Sequence, residues 1–214
     1  MLVRERMSAN PVTIDAEAPI TEALRVMRQN QVRRLPVLSE GGRLVGIVSE
    51  KDLLYASPSP ATSLTIYEMH YLLSQLLVKE VMTAELITVA PDLPLEEAAL
   101  ILVDSKIGGL PVVEDGELVG IITETDLFKV FLELLGARSR GHRLTLEIPE
   151  RKGEMARLTS EVTRLGGNIL ALGNCPGDNP TTAVVTLKVE GVPADEMEAA
   201  VRRLGLTILD SRET

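Results

Sequence analysis

The sequence predicts a mixed α/β protein in two parts, a β-α-β-β-α pattern written twice in tandem and then a β-α-β-β-α-β pattern. Three observations carry this expectation. An internal repeat covers about residues 1–136, and such a repeat must be found before any single element is assigned. Within each copy the apolar residues alternate between strand and helix spacing in the same order. The 214 residues also exceed the usual single-domain size of about 100–150 and leave room for two cores.

The repeat is explicit in the residues. Val78-Lys79-Glu80-Val81-Met82-Thr83 echoes Val3-Arg4-Glu5-Arg6-Met7-Ser8, and Leu110-Pro111-Val112-Val113 echoes Leu35-Pro36-Val37-Leu38. Gly42 to Leu53 is matched by Gly116 to Leu127, with one residue lost in the preceding turn. Each copy begins with a short strand, Val12 to Ile14 and Ile87 to Val89. A helix follows, whose apolar stripe in the first copy is Ile20, Leu24 and Met27. Next come a strand ending in Pro-Val, a Gly-containing turn (Glu40-Gly41-Gly42; Glu114-Asp115-Gly116), a β-rich strand and a second helix.

Between the copies, Ser57-Pro58-Ser59-Pro60 breaks regular structure, and a helix restarts near Thr65, where Thr65 and Glu68 can form a capping box. Ile66, Met69, Leu73, Leu76 and Leu77 give that helix an apolar face, read as packing in preference to a partner surface. After Gly136 the stretch 137–142 reads as a helix stop and linker.

The C-terminal pattern starts with Leu144, Leu146 and Ile148 alternating along a strand. Met155, Leu158, Val162 and Leu165 form a helical stripe closed by Gly166-Gly167. Strands follow at Ile169 to Leu172 and at Ala183 to Val189, the latter rich in β-branched residues. Pro193 suits the first turn of a helix carrying Met197, Ala200, Val201 and Leu204, and Leu206 to Leu209 ends the pattern as a strand. The order is ferredoxin-like.

The repeated block, with its paired Leu-Pro-Val and Gly-x-x-Ser/Thr-x-x-Asp motifs, resembles the CBS domain, and two copies resemble the pair that packs into one module. Ile148-Pro149-Glu150-Arg151-Lys152-Gly153-Glu154-Met155, followed by Gly166-Gly167-Asn168-Ile169, resembles the ACT domain, although Glu150 stands where that family usually has Asp and Met155 where it has Leu. The connector, with its Ser-Pro-Ser-Pro and Tyr-Glu-Met-His-Tyr-Leu-Leu stretches, is similar to that of the acetoin-utilisation accessory proteins, which carry both parts. The expected organisation is therefore a first CBS repeat at 1–56, a connector at 57–77, a second repeat at 78–136, a linker at 137–142 and an ACT-like domain at 143–214.

The CBS resemblance implies an adenine-nucleotide site. It assigns Asp52 and Asp126 to the ribose hydroxyls, Ser49 and Thr123 to the neighbourhood of the phosphate, and Thr13 and Thr88 to ligand contact from the first strands. Physically, a carboxylate accepts from two hydroxyls, a helix N-terminus offers unpaired N–H groups to phosphate, and Gly46 and Gly120 let a ligand approach the backbone. Helix N-capping by Ser49 with Asp52 and by Thr123 with Asp126 stays open as the alternative. Where the first copy has Val32-Arg33-Arg34-Leu35-Pro36, the second has Ile107-Gly108-Gly109-Leu110-Pro111. The first resembles the basic-Leu-Pro pattern of energy-sensing CBS proteins, which implies phosphate contact by Arg33 and Arg34 beside Pro36; arginine can grip phosphate with paired bonds, and Gly108 and Gly109 beside Pro111 cannot. A solvated pair of surface arginines is the other reading.

The ACT resemblance implies an amino-acid effector held by Glu150, Gly153, Asn168 and Ile169, commonly between two such domains. Tight turns at Gly153 and Asn168 remain an equal reading. Apolar residues on the helices of the repeats, Leu53, Leu54, Leu127, Val130, Phe131, Leu134 and Leu135, point to a homodimer that covers them.

Composition excludes other classes. Two Phe, three Tyr and no Trp offer no stacking series for nucleic-acid bases, and a net charge of -9 opposes a phosphate backbone. After Ala137 eleven acidic residues balance eleven basic ones, so the whole negative excess belongs to the repeats. No stretch approaches the roughly 18 apolar residues of a membrane span, and the opening Met1 to Arg6 does not read as a secretory signal, so a cytoplasmic protein is expected. Cys175, His70 and His142 lack the paired spacing of a zinc site, and no nucleophile-base grouping or phosphate loop argues for catalysis. The reading is a regulatory module with an adenine nucleotide as ligand, no covalent cofactor and an unidentified regulated partner. A structural or interaction protein with degenerate sites is the alternative, and an enzyme comes last.

Overall fold

In the computed structural model the first repeat runs from β1 (Ser8–Ala9) and β2 (Ile14–Asp15) through α1 (Ile20–Asn30), β3 (Arg34–Leu38) and β4 (Leu44–Ser49) to α2 (Glu50–Tyr55). The structure describes residues 1–56 and 66–214, and their side chains except at 66, 67, 69, 70 and 72. Thr65, the expected cap, and the Ser57-to-Pro60 break lie outside the described residues, as do the side chains of Ile66, Met69 and His70. The connector helix α3 (Ile66–Gln75) leads to a short α4 (Val78–Val81). The second repeat then has α5 (Leu95–Ser105), β5 (Gly109–Glu114), β6 (Glu117–Thr123) and α6 (Glu124–Leu134). Packing divides the chain into two compact units, Met1–Leu127 and Phe128–Thr214.

The two repeats share their sheet geometry closely. β3 pairs antiparallel with β4, and β5 with β6, each with an irregularity in register opposite the glycine, between Val37 and Leu38 and between Val112 and Val113. The first strands differ. β2 pairs in parallel with β3, and Ala16 N–H continues the ladder to Leu38 O at 2.9 Å. The strand expected at Ile87 to Val89 shrinks to a single bridge between Val89 and Val112. Pro91 occupies the position of Ala16 in the second copy and has no N–H to give.

Each repeat completes its sheet with the segment that precedes the other. β1 pairs antiparallel with β6, Ser8 opposite Ile121 and Ala9 opposite Gly120, while Thr83 bridges Ile47 through bonds of 2.9 and 3.0 Å. Met7 and Met82, the matching residues of the repeated opening motif, sit over Gly120 and Gly46, and a methyl group added at either glycine would overlap the methionine sulfur. The first core gathers Ile14, Ile20, Met27, Leu35, Val37, Val48, Leu53 and also Val78 from the later segment. The two halves thus fold as one module. Leu53 is fully buried and Val130 is 5% exposed, so neither belongs to the uncovered apolar face expected from sequence, whereas Leu54, Phe131 and Leu134 do stand in solvent.

The C-terminal unit has β7 (His142–Pro149), α7 (Glu154–Arg164), β8 (Asn168–Pro176), β9 (Thr182–Glu190), α8 (Ala194–Arg203) and β10 (Thr207–Glu213). The antiparallel sheet has the order β10-β7-β9-β8. This is the β-α-β-β-α-β order read from the sequence. Leu144, Leu146 and Ile148 face Val185, Leu187, Leu158, Val162, Met197 and Val201 in one core, as strand alternation and the helical stripes require. Gly136 ends the helix in a left-handed conformation (φ 59°), its carbonyl accepts from Lys188 Nζ at 3.1 Å, and an added Cβ there would touch Ala171. The chain just after α6 therefore packs on β8 and β9, which is why the division into units falls within that helix.

Candidate functional site: a cleft shared by the two repeats

A cleft of about 250 Å³ opens in the first unit, lined from one repeat by Arg34, Ile47, Ser49 and Asp52 and from the other by Thr83, Glu85, Leu86, Ile87, Lys106, Ile107, Gly108, Gly109 and Pro111. Of the residues singled out in the sequence, Arg34, Ser49, Asp52, Gly108, Gly109 and Pro111 are brought together here. Thr13, Arg33, Pro36, Gly46, Thr88, Gly120, Thr123 and Asp126 do not line it.

The capping geometry is present at both motifs. At the start of α2, Asp52 Oδ2 accepts from Ser49 N–H at 2.8 Å and from Ser49 Oγ at 2.6 Å. Ser49 Oγ in turn accepts from Asp52 N–H at 3.3 Å. One carboxylate oxygen is thereby consumed and the side chain is fixed in one rotamer. Asp52 Oδ1 makes no hydrogen bond among the described residues and is available to a ligand in the cleft. Asp126 repeats the arrangement, accepting from Thr123 N–H at 3.1 Å and Thr123 Oγ1 at 2.7 Å, but it is only 8% exposed.

Arg34 explains why Gly-Gly follows Ile107. Its guanidinium lies where a side chain at Gly108 would be, and Glu124 Oε2 crowds the same position. Its methylene chain rests beside Gly109. Any side chain at Gly108 would displace the arginine, so the contrast between Arg33-Arg34 and Gly108-Gly109 is complementary packing across the module. Arg33 is exposed, and its carbonyl accepts from Glu50 N–H at 2.9 Å.

Four of the expected contacts lie outside this cleft. The side chains of Met82 and Met7 fill the space above Gly46 and Gly120, where a Cβ would overlap them. Thr13 and Thr88 do not line the cleft; that wall is made by Thr83, Glu85 and Ile87. Sequence reasoning missed Thr83, Glu85 and Lys106. Thr83 was detectable as the last residue of the repeated opening motif, and Lys106 as a cation beside Ile107-Gly108-Gly109. Lys106 ends α5 at φ 54°, a left-handed conformation uncommon for a residue with a Cβ, and Gln31 does the same at the end of α1 (φ 54°).

In the C-terminal unit the four residues expected to share an effector site are spread. Pro149, beside Glu150, pairs with Thr182 at one end of β9, whereas Asn168 pairs with Glu190 at the other. Eight strand steps at about 3.3 Å place them roughly 26 Å apart. They form no common site within one chain. Gly153 caps α7 with φ 90°, a conformation suited to glycine. Asn168 Nδ2 donates to Glu190 Oε1 at 2.8 Å, and Ile169 packs on the core. Next to the loop, Glu154 is 4% exposed and bonded to Arg151 and Arg157, and the Arg151 hydrogen bond is the main cause holding its carboxyl below the usual range. His142 is buried with Nε2 at 2.8 Å from Ser211 Oγ, and Cys175 is exposed. No group of three metal-binding side chains occurs among the described residues, and no described helix is long and apolar enough to cross a membrane.

Comparison with known proteins gives this geometry a lineage. The family model of the CBS domain matches residues 3–59 and 78–133, and the chain belongs to that family. Among solved structures, the CBS domain pair of protein MJ0100, in complex with 5′-methylthioadenosine and S-adenosyl-L-methionine, is 28% identical, with a TM-score of 0.52 over 65% of this chain and 98% of that one. A putative acetoin utilization protein from Vibrio cholerae is 32% identical, with a TM-score of 0.53 over 64% of this chain and 95% of that one. CBSX2 in complex with AMP is 30% identical, with a TM-score of 0.50 over 61% of this chain and 96% of that one.

Proposed function

We propose that this chain is a regulatory sensor that binds an adenine nucleotide or adenosyl compound in the cleft between its CBS repeats. The observation that carries the reading is the convergence of Asp52, with one oxygen free, and two cations, Arg34 and Lys106, on one cleft over a glycine pair. Asp52 Oδ1 takes a ribose hydroxyl, and Arg34 and Lys106 take the anionic group beyond it. The solved relatives with AMP and with adenosyl ligands support the ligand class. In this reading the role is regulatory, carried out in the cytoplasm on a partner protein.

The C-terminal unit, in this reading, is an ACT domain with an amino-acid effector. Because Glu150 and Asn168 lie at opposite ends of β9, such a site needs two copies of the chain, one giving Glu150 and Gly153 and the other Asn168 and Ile169. Edge strand β8 carries no charged residue, whereas the opposite edge β10 carries Asp210, Arg212 and Glu213. Uncharged edges are the ones open to pairing, so a homodimer joined along β8 fits. Exposed Leu54, Phe131 and Leu134 add apolar surface for the same association.

A thermal-shift screen of AMP, ATP and adenosyl compounds against the full chain tests the first part. Stabilisation that disappears in Asp52→Ala supports it, and a screen without response refutes it. Light scattering tests the second, and a mass near the 23.2 kDa of one chain would exclude the dimer.

A further inference from the structure

The cleft selects for charge as well as for adenosine. Besides Asp52 it is lined by Arg34, Lys106 and Glu85, and none of these three makes an ion pair or side-chain hydrogen bond among the described residues. Glu124, which does not line the cleft, has its carboxylate close to the position that the Arg34 guanidinium takes over Gly108. Within the cleft the two cations stand with two carboxylates, Asp52 and Glu85. The surrounding repeats carry the entire excess of the chain's net charge of -9, a field that repels polyanions. A polyphosphate would bring three or four negative charges into a site that offers two cations, one of them already beside Glu124, and would leave Glu85 next to like charge. A tail carrying one anionic and one cationic group answers all the free charges: its carboxylate meets Arg34 and Lys106, and its cationic group meets Glu85.

We propose that the cleft is specific for a zwitterionic adenosyl compound, an adenosine with an amino-acid tail, and that Glu85 is the residue that discriminates it from nucleoside polyphosphates. The inference rests on the ligand reading above and narrows it. Among the described residues the Glu85 carboxylate has no partner, and the residue is exposed and outside every helix and strand. Replacing it therefore probes recognition without disturbing packing.

Isothermal titration of the full chain with ATP, S-adenosyl-L-methionine and 5′-methylthioadenosine tests the idea, before and after Glu85→Gln. Methylthioadenosine keeps the adenosine and lacks both the amino-acid tail and the sulfonium charge, so the difference reports the charged part of the ligand as a whole. The expected result is S-adenosyl-L-methionine binding about tenfold tighter than ATP to the native chain, and weakening about three- to fivefold in Glu85→Gln, the worth of one partly exposed charge pair. Methylthioadenosine should be unaffected and ATP equal or tighter. Tighter binding of ATP than of S-adenosyl-L-methionine to the native chain, or equal losses for S-adenosyl-L-methionine and methylthioadenosine in the variant, would overturn the charge selection while leaving an adenosine site in place. Absence of binding by all three would remove the site itself.

Discussion

Asp52 and Asp126 occupy the same place in the two repeats and make the same pair of bonds to the residue that caps their helix, yet one lines an open cleft and the other is 8% exposed. The local code is equal, and the difference comes from what the opposite repeat contributes. Over Asp52 the second repeat supplies Gly108 and Gly109, and Arg34 lies across them with Lys106 nearby. In this chain the two matching motifs therefore stand in unequal surroundings within one module.

Symmetry in the cores should give the largest effects. Leu35 and Leu110 are both fully buried at matching positions, and Leu35→Ala and Leu110→Ala should each cost about 2–5 kcal/mol of unfolding free energy in urea titrations. A cost confined to one of them would show that the repeats do not share load as their registers suggest.

Asymmetry should appear next, in binding. A ligand at about a hundred times its dissociation constant adds roughly 2.7 kcal/mol, on the order of 5–10 °C in melting temperature for a chain this size. Asp52→Ala should abolish that shift and Asp126→Ala should retain it. The reverse result in a thermal-shift assay would move the ligand to the other motif.

The glycine-methionine contacts return to symmetry. Gly46→Val would press on Met82 and Gly120→Val on Met7, and each should destabilise by about 1–3 kcal/mol without selectively affecting ligand affinity. A loss of affinity at constant stability would restore these glycines to the ligand.

Acid should separate the repeats from the C-terminal unit. Glu161 is pushed down to about 2, chiefly by its hydrogen bond from Arg164, with Arg203 also contributing against the opposing effect of desolvation. Glu154, Glu198 and Asp210 are lowered as well, each by hydrogen bonds from Arg or Ser partners. In the first unit, Glu22 is lowered in the same way by Arg25. A carboxyl with a depressed folded pKa stabilises above its unfolded value, 4.5 for the glutamates and 3.8 for Asp210, and loses that contribution as pH falls towards the folded one. The C-terminal unit should thus weaken between about pH 4.5 and 2, followed by circular dichroism with hydrogen exchange to locate the loss. Exchange protection lost first in the repeats would contradict this.

The smallest effect separates the two neighbouring arginines. Arg34→Gly should lower affinity for ligands with an anionic tail about tenfold while sparing adenosine, and Arg33→Gly should change neither measurably. Equal losses would make Arg33 a second contact.

The sequence by itself determined the repeat, the element order of both parts, the helical stripes and the Ser49–Asp52 and Thr123–Asp126 caps. These are set by residues a few positions apart, through period, turn chemistry and local hydrogen bonds. Even the failure at Ile87 to Val89 was written locally, in Pro91. Tertiary structure alone decided that β1 completes the second repeat and Thr83 the first, that Met7 and Met82 account for Gly120 and Gly46, that Arg34 and not Arg33 reaches the cleft, and that Glu150 and Asn168 stand at opposite ends of a strand. Each of these depends on which segments meet across the pseudo-symmetric module or along a sheet. Linear spacing carries no record of such meetings, because two identical motifs become different sites only when different neighbours are folded against them.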